Sequence, residues 1–144
     1  MGSRRRSREL AMQALFFMDM AHGVNEEALK RYLDHFPPPE HASAFFLDLV
    51  KGVMQTMPEI DALIESASDN WKLSRMSCVD RNVMRIAVYE LKYRNDIPPK
   101  VAMNEAIDVG KKYGTEESGA FINGILDTIH MKLIKKQGDQ DNNG

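Results

Sequence analysis

The sequence predicts an all-α fold of two packed three-helix bundles, about seven helices in total. Three observations predict it. Apolar residues recur at the spacing of a helix face along most of the chain, and period-two alternation is weak. No Asn-Gly hairpin signal lies between β-branched runs. The breaks between periodic stretches carry helix caps and proline stops.

Each element has its own justification. A first helix runs from about Arg5 to Ala21, with His22-Gly23 ending it. Asn25 can cap a second, roughly 26–35, by accepting from its free N–H groups. "FPPPE" (36–40) breaks the chain, because proline lacks the N–H and clashes with the preceding turn. A third helix covers about 40–57, and Pro58 is placed to start a fourth at its first turn. "DNWKLSRMS" (69–77) is a junction. Ser77 with Asp80 resembles a capping box, opening a helix to about Arg94. After "NDIPPK" (95–100), the helix of "VAMNEAIDVGKKYG" ends at Lys111-Lys112, with Gly114 as a left-handed cap. A last helix covers about 117–136. The expected organisation is one domain over 1–137, with bundles at about 4–70 and 71–137, and a polar, disordered tail at 138–144. No solenoid period is present.

Composition excludes several classes. At 144 residues, 43% hydrophobic and 28% charged, the chain is ordinary for a globular protein. No apolar run is long enough to span a bilayer. No signal-peptide pattern appears, and Glu9 and Asp19 interrupt the nearest mimic, a transit peptide. The single cysteine, Cys78, excludes an intrachain disulfide and points to the cytoplasm. His22, His35, His41 and His130 lack ligand spacing, so neither a metal nor a cofactor is expected.

Charge is uneven. The formal net charge is −2, and with four arginines inside residues 4–8 the remainder stands at −6. Any nucleic-acid contact is therefore expected to be local.

On a wheel the first helix presents Leu10, Ala14, Phe17, Met18 and Ala21 as a core arc, widened by Ala11 and Leu15. The opposite side carries Arg5, Arg8, Met12, Phe16 and Asp19. A ring among arginines on an outward side fits a single-stranded nucleic-acid site, since cations neutralise phosphates and a ring can stack any base. It equally fits a ring packed on a neighbouring helix or subunit.

The Ser77 helix is apolar around much of its circumference, with stripes Val79, Val83, Ile86, Ala87 and Met84, Val88, Leu91. Such a helix belongs at the centre. Glu90 falls inside a stripe and must be paired if buried. A catalytic role is the weaker reading, as no His, Lys or second carboxylate is spaced to work with it. The next helix turns Ala102, Ala106, Val109 and Gly110 inward, with Asn104, Glu105 and Asp108 outward. The last helix has a stripe of Ile122, Ile125, Leu126, Ile129 and Leu133. Phe121 lies at its first turn, where N–H groups attract phosphate, as a second stacking ring or a flanking core residue.

Four blocks carry a resemblance: "RRRSRELAMQALF" (4–16), "DRNVMRIAVYEL" (80–91), "IPPKVAMNEAIDVGKKYG" (97–114) and "FINGILD" (121–127). In order and spacing they resemble the NusB family of bacterial transcription antitermination factors, over about residues 4–130. The resemblance implies two packed three-helix bundles and no enzymatic activity. It implies binding to single-stranded boxA RNA, and a heterodimer with NusE, a small-subunit ribosomal protein. It also implies a place in the RNA polymerase antitermination complex on ribosomal RNA operons. Carried over by position, the RNA-binding residues are Arg4, Arg5, Arg6, Arg8, Phe16, Glu117 and Phe121, and the partner-binding residue is Asp80. Phe16 stands where the family often has Tyr, so it keeps stacking without the hydroxyl. Gly119 and Ala120 stand where some members carry basic residues.

Two other readings are weighed. An accessory domain of an RNA-modifying enzyme is disfavoured because no Rossmann-like glycine motif occurs in these residues. A protein-binding helical module would use Phe16 against a subunit. A homodimer sharing the RNA-binding face fits either use of that ring.

Overall fold

The structure, a computed structural model, describes residues 2–21, 23–69 and 71–143, with side chains as far as residue 138. Among the described residues there are six α-helices and no strand: α1 (Ser3–Met20), α2 (Glu26–His35), α3 (Glu40–Ala67), α4 (Cys78–Tyr93), α5 (Pro99–Tyr113) and α6 (Ser118–Asn143), with a 3-10 turn at Leu73–Arg75.

Local chemistry explains two starts. The Asn25 Oδ1 accepts from the Ala28 N–H at 2.8 Å and opens α2. The Ser77 Oγ accepts from the Asp80 N–H at 3.0 Å and opens α4. The capping box is half formed, because the Asp80 Oδ1 has no hydrogen-bond partner among the described residues.

Helix α4 is the centre. Every residue from Asn82 to Glu90 is buried, and the helix packs against α1, α3, α5 and α6. The set α1–α3 and the set α4–α6 thereby close over one continuous core, which includes Leu15, Phe46, Ile60, Met84, Ile122 and Ile129. Among the described residues no helix is long and apolar enough to cross a membrane.

The structure departs from the sequence expectation in four places. The expected third and fourth helices are one: α3 runs through Pro58. Proline inside a helix costs about 3 kcal/mol. Yet Pro58 faces outward, and the buried stripe Phe46, Leu49, Val50, Val53, Ile60, Ile64 continues past it. Burial of several such side chains, each worth about 1.5–3 kcal/mol, outweighs that cost. Gly114 is not a left-handed cap, for its φ is −99°. A Cβ there would meet the Ser118 Oγ at 2.3 Å, so close approach is what demands glycine. Helix α1 ends at Met20, with His22 outside the described residues. The backbone of the expected disordered tail is helical to Asn143, and Gly144 lies outside the described residues.

Candidate nucleic-acid interface

The first turn of α1 is anchored one turn further in. The Arg8 Nε donates to both Glu90 oxygens, at 3.1 and 3.0 Å, and Nη2 donates to Oε1 at 2.6 Å. Its Nη1 donates to the Glu105 Oε1 at 2.9 Å. Arg8 is 4% exposed and ties α1 to α4 and α5. Burial pushes the Glu90 carboxyl above its ordinary range, against the Arg8 guanidinium, which pulls it down. The expectation of an outward Arg8 is corrected: its donors are spent inside the protein. Glu90 is the paired core carboxylate.

The other three arginines remain at the surface. The Arg5 Nε donates to the Glu105 Oε2 at 2.6 Å, and its Nη2 donates to the Asp108 Oδ2 at 2.8 Å. The Arg6 Nη1 lies 3.5 Å from the Glu9 Oε1, and the Arg4 Nη2 lies 3.9 Å from the Asp96 Oδ2. Surface pairs of this kind contribute at most about 1 kcal/mol, so they orient the guanidiniums and leave them exchangeable. Sequence reasoning missed Phe45. Its ring centroid lies 4.7, 5.2 and 5.5 Å from the guanidinium carbons of Arg4, Arg8 and Arg94. One of two adjacent Phe residues on a core-facing helix carries no signal of such a role.

The wheel for α1 is rotated relative to the expectation. Met12 is buried and Phe17 is 51% exposed, the reverse of the predicted assignment; Ala21 is also exposed. Helices α4 and α5 cover the side assigned to solvent because its charges find partners there. Asp19 accepts from the Arg81 Nε at 2.8 Å and from the Arg85 Nη1 and Asn82 Nδ2 at 3.0 Å. Burial alone would raise the Asp19 carboxyl; the Asn82 amide and the Arg85 and Arg81 guanidiniums hold it below its ordinary range.

Phe16 is partly buried and does not stand among free arginines. It lines an apolar groove of about 450 Å³ with Met12, Phe17, Tyr32, Val79 and Tyr113. Phe36, 56% exposed, lies on the same groove, with Tyr32 and Phe36 ring centroids 5.2 Å apart. The adjacency of Phe16 and Phe17 was the available signal, but not which of them faces outward.

At the start of α6, Phe121 is partly buried, and Glu117 is exposed in the preceding turn. Asp80 is 8% exposed. No hydrogen bond or ion pair joins Glu117, Phe121 or Asp80 to the arginine turn among the described residues. Helix α5 spans the gap: Glu105 and Asp108 pair with Arg5, and the Lys112 Nζ pairs with Glu9 at 3.1 Å. The arrangement offers a cationic helix start, rings at two further places and an apolar groove.

The chain is similar to known proteins. The model of the NusB family matches residues 5–131. A transcription antitermination protein NusB from Desulfatibacillum aliphaticivorans is 56% identical over 137 residues, covering 95% of this chain and 96% of the relative. One from Geobacter sulfurreducens is 50% identical, covering 94% and 99%. Among solved structures, T. maritima NusB superimposes with a TM-score of 0.78 at 40% identity, over 89% of this chain and 90% of that one. A crystal structure of the antitermination factors NusB and NusE in complex with dsRNA gives 0.78 at 27% identity, over 90% and 97%. A match spanning nearly every helix, with relatives at half identity or better along almost their whole length, settles the assignment: the chain belongs to the NusB family.

Proposed function

We propose that the chain is an RNA-binding transcription antitermination factor that recognises boxA RNA of ribosomal RNA operons together with NusE. It acts by recognition alone, without catalysis, in the cytoplasm and within the RNA polymerase antitermination complex. The observation that carries this reading is the first turn of α1. Arg4, Arg5 and Arg6 sit at the surface of a helix start that the buried Arg8–Glu90 pair holds in place. A family relative solved with NusE and dsRNA supports the association with NusE and RNA in this reading.

In this reading the residues divide the work as follows. Arg4, Arg5 and Arg6 exchange their surface carboxylates for phosphates, giving a salt-sensitive attraction. Arg8 positions that turn. Phe121 stacks an unpaired base, and Glu117 beside it tempers affinity by repelling phosphate. Phe16 contributes from the groove, where RNA and partner surfaces meet. Asp80, in the first turn of α4, is the proposed NusE contact.

The test is RNA binding with and without NusE, comparing the full chain with its Arg4→Ala, Arg5→Ala, Arg6→Ala variant, which keeps the Arg8–Glu90 pair. The expected result is binding strengthened by NusE and clearly weakened in the variant. Equal binding by both chains, or preference for duplex over single-stranded RNA, would overturn it.

A second reading is favoured by the exposure of Phe17 and Phe36. A second copy of this chain covers the aromatic groove and stores the protein as a homodimer. Light scattering would then give twice the monomer mass, falling to the monomer on adding NusE and RNA.

A further inference from the structure

We propose that Trp71 is an RNA-stacking residue that, with Phe121 and Lys111, extends the RNA contact to the junction between α3 and α4; this rests on the RNA-binding reading above. Trp71 is the chain's single tryptophan and is 49% exposed. Its ring lies 5.7 Å from that of Phe121 at an interplanar angle of 67°. An edge-to-face pair leaves faces of the edge-on ring uncovered by its partner, and a free ring face is what an unpaired base needs.

The exposure is built rather than loose. The Trp71 N–H donates to the Ser68 carbonyl at 3.1 Å, and the Ser68 Oγ donates to the Trp71 carbonyl at 3.0 Å. Two residues on, the Leu73 N–H donates to the Glu65 Oε1 at 3.0 Å, and the Leu73 side chain is buried. Asp69 turns the chain with φ at 54°. The backbone here is held firmly, yet the Trp71 ring stands half outside the core and adds little to the interior.

Two cations accompany these rings, one beside Trp71 in sequence and one across the first turn of α6. The Lys111 stem lies across Gly119, where a Cβ would sit 2.8 Å from the lysine Cε. Arg4, Arg5, Arg6 and Arg8 each have a carboxylate within 4.0 Å, whereas Lys111 has none among the described residues. Lys72, beside Trp71 in sequence, is exposed and likewise unpaired among the described residues. Glu116 and Glu117 are exposed in the turn before α6. They weaken capture by charge alone, so stacking on Trp71 carries the contact.

A single tryptophan makes the test direct. Labelled single-stranded boxA RNA is titrated into the full chain with NusE present, reading RNA anisotropy; unlabelled RNA titrated into the chain alone gives the Trp71 emission. Trp71 emission should be quenched along the binding curve that anisotropy gives for the chain without NusE. Trp71→Ala should weaken binding roughly 5- to 100-fold, the range for one lost stacked base, and Trp71→Phe should recover most of it. Gly119→Ala, which displaces Lys111, should weaken binding less. Circular dichroism melting of each variant reports folding. RNA bound with unquenched emission, and with equal affinity for wild type and Trp71→Ala, would overturn this proposal and leave RNA recognition standing. No RNA binding by the wild type in either format would overturn both.

Discussion

The Arg8 guanidinium and the Glu90 carboxylate form a buried, two-pronged ion pair between α1 and α4, with N–O distances of 3.1, 3.0 and 2.6 Å. Parallel N–H bonds to both oxygens fix orientation as well as distance. The pair therefore sets the angle at which the first turn of α1 leaves the body of the protein.

Breaking one side of that pair leaves an uncompensated buried charge. Glu90→Ala or Arg8→Ala should each lower stability by about 3–5 kcal/mol in urea unfolding. The double variant Arg8→Met, Glu90→Leu should lose clearly less than the two single losses added together. Simple additivity would show that the pair is not coupled.

With Arg8 spent inside, three arginines remain for phosphates. The slope of log K against log salt should be about −2 for single-stranded RNA. Replacing Arg4, Arg5 and Arg6 by Ala should flatten it towards zero without changing the melting temperature. An unchanged slope in the triple variant would move the phosphate contacts elsewhere.

Phe17 and Phe16 should separate by readout. Phe17→Ser removes an exposed ring and should leave thermal stability within about 0.5 kcal/mol of wild type while weakening association on the groove, whether with NusE or a second copy. Phe16→Ala should weaken both RNA and NusE binding, with a moderate loss of stability because the ring is partly buried. Stability loss alone, with both affinities intact, would make Phe16 purely a packing residue.

Acid should loosen the α1–α4 contact through Asp19. Its carboxyl is held below the ordinary range, so the stability it contributes is present above about pH 4 and is lost as pH falls through its folded-state value. Glu90, shifted upward, acts in the opposite direction. Melting temperature against pH should therefore drop more steeply below about pH 4 in the wild type than in Asp19→Asn. Asp96 should titrate at about 2 by NMR, because the Arg94 guanidinium bonds its carboxylate, and Arg94→Gln should raise that value.

Much of the fold was legible because its signals are local. Asn25 and Ser77 announce their helices through bonds three residues long. The inward residues Ala102, Ala106, Val109 and Gly110 follow from spacing alone, and so do Ile122, Ile125, Leu126 and Ile129. Pro58 misled because its local cost is real, while the burial that outweighs it comes from other helices. Within the candidate site, the surface position of Arg4, Arg5 and Arg6 was legible. The burial of Arg8, the cluster around Phe45 and the pairing of Trp71 with Phe121 were not.

The sequence by itself determined which stretches are helical, that α4 is central, and that a cationic turn opens the chain. Only the tertiary structure decided the rotation of α1, and with it which of Arg8, Met12, Phe16 and Phe17 meets solvent. Periodicity fixes the spacing of a helix face but not its direction. Direction depends on partners far along the chain, and Glu90 lies 82 residues from the arginine it neutralises.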